Sequence, residues 1–278
     1  MKPSKLRFIK NLSIASLLLS AANADSITAL NFGIHDWSTA NWTPLAPTAD
    51  STIFLNANTF LRLPSGTNSS VKGFRIGNVN SEIATLSVDG GSLDTQFLVC
   101  GDAPNGNASF ILSAGSFTVA NTNYNDFEIG NPAANSDSNC SSTALFSGGN
   151  ASLADIRFNL REQRSTSLKI QGSQVSVQAD SLSADPSGNL NFQPGKLNFT
   201  LDSTGVSNLQ LNGAAYLGDA NYLDLVVDGT NYTGGPRRIT LISATSINGT
   251  FHEIQTLGFA NGANVYNIDN NQIVLEIL

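Results

Sequence analysis

The chain has 278 residues, of which 13% are charged and 41% are hydrophobic. The charged share is about half of that in an average soluble protein, and Asn, Ser, Thr and 24 Gly take many of the polar positions instead. These residues are poor in helix interiors, so the composition excludes a mainly helical protein. The net charge of −7 argues against a nucleic-acid-binding protein, because phosphate contacts need clustered Lys and Arg.

Residues 1–24 have the pattern of a secretory signal peptide. A basic start is followed by the apolar stretch Leu12 to Leu19 and by Ala22-Asn23-Ala24, a small-x-small cleavage pattern. Cleavage before Asp25 would remove four of the 14 basic residues and none of the 21 acidic ones, which changes the net charge from −7 to −11. We therefore expect an exported mature chain without a transmembrane segment; the alternative is an uncleaved membrane anchor.

Residues 25–71 are predicted to form an N-terminal cap and the first strands. Their short apolar runs are interrupted by Pro44, Pro47 and Pro64, which is typical of short strands and turns. Trp37 and Trp42 are predicted to plug the N-terminal end of the fold, where large rings bury much area. The alternative is that they stack on sugars.

Residues 72–180 contain a repeat with two markers. Glycines at 91, 115, 149 and 172 follow β-rich runs at spacings of 24, 34 and 23 residues. A second marker keeps step at spacings of 24 and 29 residues: Arg75-Ile76-Gly77, Val99-Cys100-Gly101 and Glu128-Ile129-Gly130. Repeats of this length predict stacked coils, with glycine at the corners because a sharp bend needs positive φ. The segment Asn131 to Ser142 is predicted to be a surface loop inserted into one coil.

The predicted fold is therefore all-β, a parallel β-helix of expected right-handed form with capping segments at both ends. The alternative is an antiparallel sandwich, whose strands also recur at short spacing. Residues 181–195, with Pro186 and Pro194, are the predicted boundary segment, and residues 196–278 form either terminal coils or a β-rich C-terminal cap. Predicted strands in this last part are Leu209–Leu211, Leu223–Val227, Arg238–Ser243, Gly249–Glu253 and Gln272–Leu278.

Three stretches resemble secreted repeat proteins of the autotransporter-passenger type from marine and environmental Gram-negative bacteria. The opening from Asp36 to Pro44, followed by Pro47 to Phe54, is similar to the Trp, Asn-Trp and Pro pattern that begins these proteins. The middle resembles their Ile-Gly and Gly-x-Leu coils. The stretches Leu197–Leu201, Asn231–Gly235, Ile239–Ile242 and Gly249–Phe251 are similar to the segment that closes such stalks.

The resemblance implies a parallel β-helix with a structural, adhesive or matrix role and no shared catalytic residues. Members often finish with a membrane-embedded barrel or a Pro-Glu-Pro sorting tail, and residues up to Leu278 contain neither. The expected location is therefore extracellular or at the cell surface, with the periplasm as the alternative.

Candidate catalytic residues come from neighbouring coils of the predicted helix. Parallel β-helices host polysaccharide lyases and glycosidases, and two carboxylates at suitable separation can hydrolyse a glycoside. The candidates are Asp126 and Glu128 on one coil and Asp155 and Arg157 on the next, with Arg161, Glu162 and Arg164 close by. The alternative interpretation treats Arg161 to Arg164 as a solvated turn that carries surface charge.

The sequence also offers candidates for a disulfide and for a calcium site. Cys100 and Cys140 are candidates for a disulfide in an exported chain, the alternative being two separate thiols. No cofactor is expected. Calcium is a candidate ligand at Asp102, Asn105 and Asn107 or at Asp219 and Asn221, although Asp and Asn also prefer turns for conformational reasons. His252 is expected to face solvent without a catalytic role.

The sequence thus favours a non-enzymatic, exported surface, matrix or adhesion protein whose partners are glycans or other cell-surface components. The alternative function is a polysaccharide-active β-helix enzyme, either a lyase or a glycoside hydrolase.

Overall fold

The computed structural model describes residues 26–29, 33–43, 46–56, 58–77, 83–103, 106–120, 126–130, 140–160, 164–185 and 192–278. The signal peptide predicted at residues 1–24 lies outside them. The described chain is all-β and forms a solenoid of about seven coils, built mostly from parallel strands. The prediction of a parallel β-helix is confirmed, and the alternative antiparallel sandwich is wrong. Its right-handed form stays a prediction.

Twelve strands form the N-terminal half of the described chain. They are β1 (Ser26–Ala29), β2 (Gly33–Asp36), β3 (Trp42–Thr43), β4 (Thr52–Leu55), β5 (Thr59–Pro64), β6 (Asn68–Ile76), β7 (Ile83–Cys100), β8 (Asn107–Val119), β9 (Asp126–Ile129), β10 (Cys140–Phe146), β11 (Gly149–Leu153) and β12 (Asp155–Asn159).

Twelve further strands form the C-terminal half. They are β13 (Arg164–Gln171), β14 (Val175–Ala179), β15 (Leu182–Asp185), β16 (Gly195–Thr200), β17 (Leu209–Leu211), β18 (Ala214–Gly218), β19 (Leu223–Asp228), β20 (Arg237–Ser243), β21 (Ser246–Gly249), β22 (Ile254–Leu257), β23 (Ala263–Ile268) and β24 (Gln272–Ile277).

Three sheets run along the solenoid, and the chain passes through them in the order I, II, III in each coil. Sheet I contains β1, β4, the ends of β6 and β7, then β9, β12, β15, β18 and β21. Sheet II contains β2, β5, the first parts of β7 and β8, then β10, β13, β16, β19 and β22. Sheet III contains the start of β6, the middle of β7, the end of β8, then β11, β14, β17 and β20.

The core occupies the interior between the three sheets. Strands alternate between buried and solvent-facing positions, as β14 does over its five residues, because successive side chains in a strand point to opposite faces. Four fully buried rings meet in the middle coils, with centroids 4.4 to 5.9 Å apart: Phe110, Phe117, Phe127 and Phe146. Close aromatic contacts of this kind join neighbouring coils.

Both predicted glycine markers lie at corners, although at the first of them the residue with positive φ is Gly90 and not the predicted Gly91. Gly77, Gly101 and Gly130 follow the last residues of their sheet I strands, and all three have positive φ. Gly115 lies at the corner between sheets II and III with a φ of +85°. A Cβ on Gly115 would lie 2.0 Å from the carbonyl oxygen of Gly91 on the preceding coil, so the corner needs glycine for space as well as for φ.

The two ends of the solenoid are built differently. At the N-terminal end, the rings of Trp37 and Trp42 lie 5.0 Å apart and pack against the core, with Trp37 also 6.1 Å from Phe74. At the C-terminal end, β24 pairs antiparallel with β20 and with β23, which covers the last strand of sheet III.

Several predicted segments have a different structure in detail. Cys140 to Ser142, expected at the end of a loop, are the first residues of β10, because they pair with β13; residues 131–139 lie outside the described residues. The segment expected as a strand at Gly249–Glu253 is mainly the turn between β21 and β22. Within 181–195, β15 belongs to sheet I, and after residue 196 the coils continue to β22 before the antiparallel strands begin.

Candidate functional site

The strands β9 and β12 bring the four predicted residues together on the outer face of sheet I. Asp126 is in register with Asp155, and Glu128 is in register with Arg157. Phe127 lies between the two acids and is fully buried, so Asp126 and Glu128 point to the opposite, outer side of the sheet. We call Asp126, Glu128, Asp155 and Arg157 the sheet I cluster.

Asp126 is the most enclosed carboxylate of the sheet I cluster. Its side chain is 8% exposed, and its Oδ2 lies 3.0 Å from Nε of Arg157. Burial raises the pKa of Asp126; the charge of Arg157 opposes this shift, and that of Asp155 adds to it. The carboxyl group therefore holds its proton more tightly than a solvated aspartate.

Glu128 is also shifted toward its protonated form. Burial raises the pKa of Glu128, and repulsion from Asp126 adds to the shift, whereas Arg157 and Arg75 oppose it. Nδ2 of Asn159 donates a hydrogen bond to Oε2 of Glu128 at 3.2 Å and another to the carbonyl oxygen of Gly130 at 3.0 Å. A carboxyl group with a raised pKa is the kind of group that serves as a general acid.

Three further contacts lie around the cluster. Asp155 accepts a hydrogen bond of 2.6 Å from the hydroxyl group of Ser181 on the next coil. Arg75 forms an ion pair of 2.5 Å with Asp102, and its guanidinium carbon lies 5.7 Å from the centroid of the Phe97 ring. Asp102, a residue proposed for calcium, therefore pairs with an arginine.

The sequence did not indicate Arg75 and Asn159 as neighbours of the acids. The repeat markers contained a clue to Arg75, because Arg75, Val99 and Glu128 hold the same position in successive markers. The register confirms this equivalence, with Arg75 opposite Val99 and Val99 opposite Glu128. Asn159 lies beyond the third marker, where no repeated glycine indicates its position.

The interpretation of Arg164 as part of a solvated turn is wrong. Arg164 is the first residue of β13 and is 1% exposed. Its Nη1 donates to the carbonyl oxygen of Gly101 at 3.1 Å and to Oγ of Ser142 at 2.7 Å, and its Nη2 donates to the carbonyl of Ala103. The residues Arg161 and Glu162 lie outside the described residues.

The two candidate disulfide cysteines are both buried, and their pairing stays a prediction. Cys100 ends β7 in sheet I, whereas Cys140 begins β10 in sheet II. The thiol of Cys100 donates a hydrogen bond of 3.5 Å to the carbonyl oxygen of Thr143. Burial raises the pKa of Cys100 to about 12.

The candidate calcium residues make contacts of their own. Oδ1 of Asn107 accepts hydrogen bonds from the backbone N–H and the hydroxyl of Ser141, at 2.9 and 3.2 Å. Asp219 and Asn221 lie in the turn after β18, and Asn105 lies outside the described residues. Among the residues that the structure describes, no three His, Cys, Asp or Glu side chains form a metal-binding group.

The structure also pairs His252 with a partner that the sequence did not indicate. His252 is exposed, as expected, but it lies in the turn between β21 and β22, and its Nδ1 is 2.8 Å from Oδ1 of Asp224. Asp224 is 28 residues earlier, on the preceding coil. The number of residues per coil is irregular in this part of the chain. The pairing of His252 with Asp224 therefore follows from the register in which the coils stack and not from a repeated spacing.

In the described part of the chain, no helix is long and apolar enough to span a membrane. No protein-family description, no curated protein and no solved structure matches this chain.

Proposed function

We propose that the protein is an exported β-solenoid scaffold that acts at the cell surface or in the extracellular matrix, where it binds glycans or other surface components without altering them chemically. The observation that carries this proposal is the continuous stack of about seven coils. Solenoids present extended surfaces on which the same strand position recurs from coil to coil, and such surfaces suit long or repetitive ligands. The signal-peptide pattern at residues 1–24 and the resemblance to autotransporter passengers support export.

The contacts of the sheet I cluster argue for a structural role of its residues over a catalytic one. Each of its carboxylates already has a protein partner: Arg157 for Asp126, Asn159 for Glu128 and Ser181 for Asp155. A catalytic pair has to flank the glycosidic bond of a bound sugar, so both of its carboxyl groups must be open to the substrate. Here the charged groups hold neighbouring coils to one another.

The test combines location with activity. Cell fractionation and surface labelling should place the mature protein outside the inner membrane, and deletion of the protein should weaken cell attachment or matrix retention. Purified protein should bind polysaccharides without releasing reducing ends or unsaturated products. A cytoplasmic location would overturn the proposal, and so would depolymerisation of a polysaccharide by the purified protein.

A second candidate is a polysaccharide-active enzyme, favoured by the raised pKa of Glu128 and Asp126 beside Arg157. The substitutions Glu128→Gln and Asp126→Asn should then abolish depolymerisation. Asp94→Asn, at an exposed carboxylate on sheet III, is the matched control and should keep full activity. Depolymerisation that survives both cluster substitutions would exclude this site.

A further inference from the structure

A cleft lies at the corner between sheets I and II in the last coils of the solenoid. It is lined by Phe192, Pro194, Asp219, Asn221, Tyr222 and His252, and its volume is about 480 Å³. Phe192 and Pro194 precede β16, the residues from Asp219 to Tyr222 precede β19, and His252 precedes β22. The lining therefore comes from three successive coils. The volume lies within the range of small-molecule sites, which is roughly 300–1,000 Å³. We call it the C-terminal cleft.

One wall of the C-terminal cleft is aromatic. The rings of Phe192 and Tyr222 lie 5.0 Å apart at an interplanar angle of 86°, and both are partly buried against the core. The Tyr222 ring packs over Gly218, where a Cβ would lie 2.1 Å from its Cδ2 atom. The carbonyl oxygen of Tyr222 also accepts a hydrogen bond of 2.9 Å from the N–H of Gly195. These contacts hold the aromatic wall in place.

The other lining groups are polar. Nδ1 of His252 is hydrogen-bonded to Oδ1 of Asp224 at 2.8 Å. This contact fixes the orientation of the ring and leaves Nε2 as the ring nitrogen that can contact a ligand. Asp219 and Asn221 are exposed on a tight turn, in which the backbone N–H groups of Asn221 and Tyr222 donate to the carbonyl of Asp219 at 2.6 and 3.1 Å. The cleft therefore presents a carboxylate, an amide and an imidazole beside its aromatic wall.

We propose that the C-terminal cleft binds a neutral sugar residue of a glycan; this inference rests on the proposed function and names its binding site. The apolar face of a sugar ring packs against Tyr222 and Phe192, because C–H groups are attracted to the negative face of an aromatic ring. Its hydroxyl groups donate to Asp219 and exchange hydrogen bonds with Asn221 and His252. The carboxylates of Asp219 and Asp224 disfavour an acidic sugar, because like charges repel.

The experiment measures binding of the purified full chain to an array of neutral and uronic-acid oligosaccharides, followed by saturation-transfer NMR on the neutral ones that bind. Tyr222→Ala and Phe192→Ala should each weaken binding about tenfold, which is the loss expected for one aromatic contact. Asp219→Asn changes an exposed turn residue without disturbing the core, and it should weaken binding of neutral sugars several-fold.

The matched control is Tyr216→Ala, because Tyr216 is 53% exposed on sheet I and lies outside the cleft. It should bind as the wild type does, and thermal unfolding should show that every variant is folded. The inference is overturned if no neutral oligosaccharide binds, if acidic ones bind as tightly, or if Tyr222→Ala, Phe192→Ala and Asp219→Asn all bind normally.

These outcomes are separable from failure of the proposed function. If neutral-glycan binding survives all three cleft substitutions, the cleft is not the binding site, but the proposal of a glycan-binding scaffold stands. If the protein lies at the cell surface and retains cells but binds none of the oligosaccharides, only the proposal of a sugar site in the cleft is rejected. If the protein is cytoplasmic or depolymerises polysaccharides, the proposed function is rejected, whatever the cleft variants show.

Discussion

At the residue scale, a positive charge lies inside the solenoid at Arg164. Its guanidinium group donates to backbone carbonyls of Gly101 and Ala103 and to Ser142, so it joins the corner of one coil to the neighbouring strand. A buried charge is costly unless it is hydrogen-bonded. The hydrogen bonds of Arg164 therefore offset this cost and join its coil to the two coils before it.

The buried thiol of Cys100 leads to a prediction about reactivity. Its pKa is raised to about 12 by burial, so the reactive thiolate is scarce at any ordinary pH. We expect a maleimide or iodoacetamide to leave Cys100 unmodified in the native protein and to label it after unfolding in guanidinium chloride. Mass spectrometry of tryptic peptides measures this. Rapid labelling of the native chain at neutral pH would contradict the burial.

The same thiol makes stability depend on alkaline pH. An unfolded cysteine loses its proton near pH ~8.5, whereas Cys100 in the folded chain keeps it up to about 12. The stabilising effect is therefore complete below the unfolded pKa and is lost as the pH rises toward the folded one. We expect Cys100→Ala to show a weaker fall in urea midpoint between these two values than the wild type shows.

Glu128 leads to a prediction about stability at neutral pH. Its pKa is raised in the folded state, so its contribution is most favourable below the unfolded value of about 4.3 and is lost as the pH rises through the folded pKa. Glu128→Gln keeps an acceptor for Asn159 and removes the charge. We expect a higher urea midpoint than wild type at neutral pH and a smaller difference at acidic pH, with exposed Asp94→Asn unchanged at both.

At the element scale, the corners decide how closely successive coils can stack. The corner glycine Gly115 faces the backbone of Gly91 on the preceding coil, and any side chain there would overlap the carbonyl oxygen. Parallel strands in neighbouring coils are about 4.8 Å apart, which leaves little space between corner backbones. The corner glycines are thus required by the close stacking of the coils as well as by the positive φ of the bend.

Gly115→Ala should therefore destabilise the protein more than a glycine replacement at a comparable φ in open space. Gly115 has a φ of +85° and Gly66 a φ of +83°, but a Cβ on Gly66 meets no atom within 4 Å. We expect Gly66→Ala to cost about 1–2 kcal/mol for the left-handed conformation alone. Gly115→Ala should cost about 1–3 kcal/mol more for the overlap. Equal urea midpoints for the two variants would contradict the close stacking.

At the scale of the whole molecule, stability is spread along the stack, because each coil contacts mainly its neighbours. The buried residues form one cluster that extends from Ile53 to Ile277. An open sheet edge at either end would be a template for association with another chain. The antiparallel strands β23 and β24 cover that edge of sheet III.

Deletion of residues 263–278 should expose the edge of β20 and produce concentration-dependent self-association with a lower Tm. Light scattering coupled to gel filtration measures the association, and thermal unfolding measures the stability. Glu276→Ala is the control, since it removes the surface ion pair with Arg238 at 2.8 Å without shortening the chain and should change stability by less than about 1 kcal/mol. A truncated chain that stays monomeric at every concentration would contradict the capping role.

Composition and the spacing of Gly77, Gly101 and Gly115 were sufficient to predict an all-β solenoid and its corners, because glycine at a bend is a local requirement of φ. The meeting of Asp126, Glu128, Asp155 and Arg157 was also within reach, since they lie at nearly equivalent positions of adjacent coils. Contacts such as Arg164 with Gly101 were not, because an inserted segment of unequal length separates the coils and their register cannot be counted from sequence.

The sequence by itself thus determined the class of fold, the position of its bends and which residues face outward, since these depend on alternation and on backbone conformation within one coil. Only the tertiary structure decided which side chains are partners: Asn159 with Glu128, His252 with Asp224, and the aromatic pair of Phe192 and Tyr222. The physical reason is that these contacts form between coils, where the lengths of the connecting turns set the register and the stacking of strands brings together residues that are about 30 positions apart in the chain.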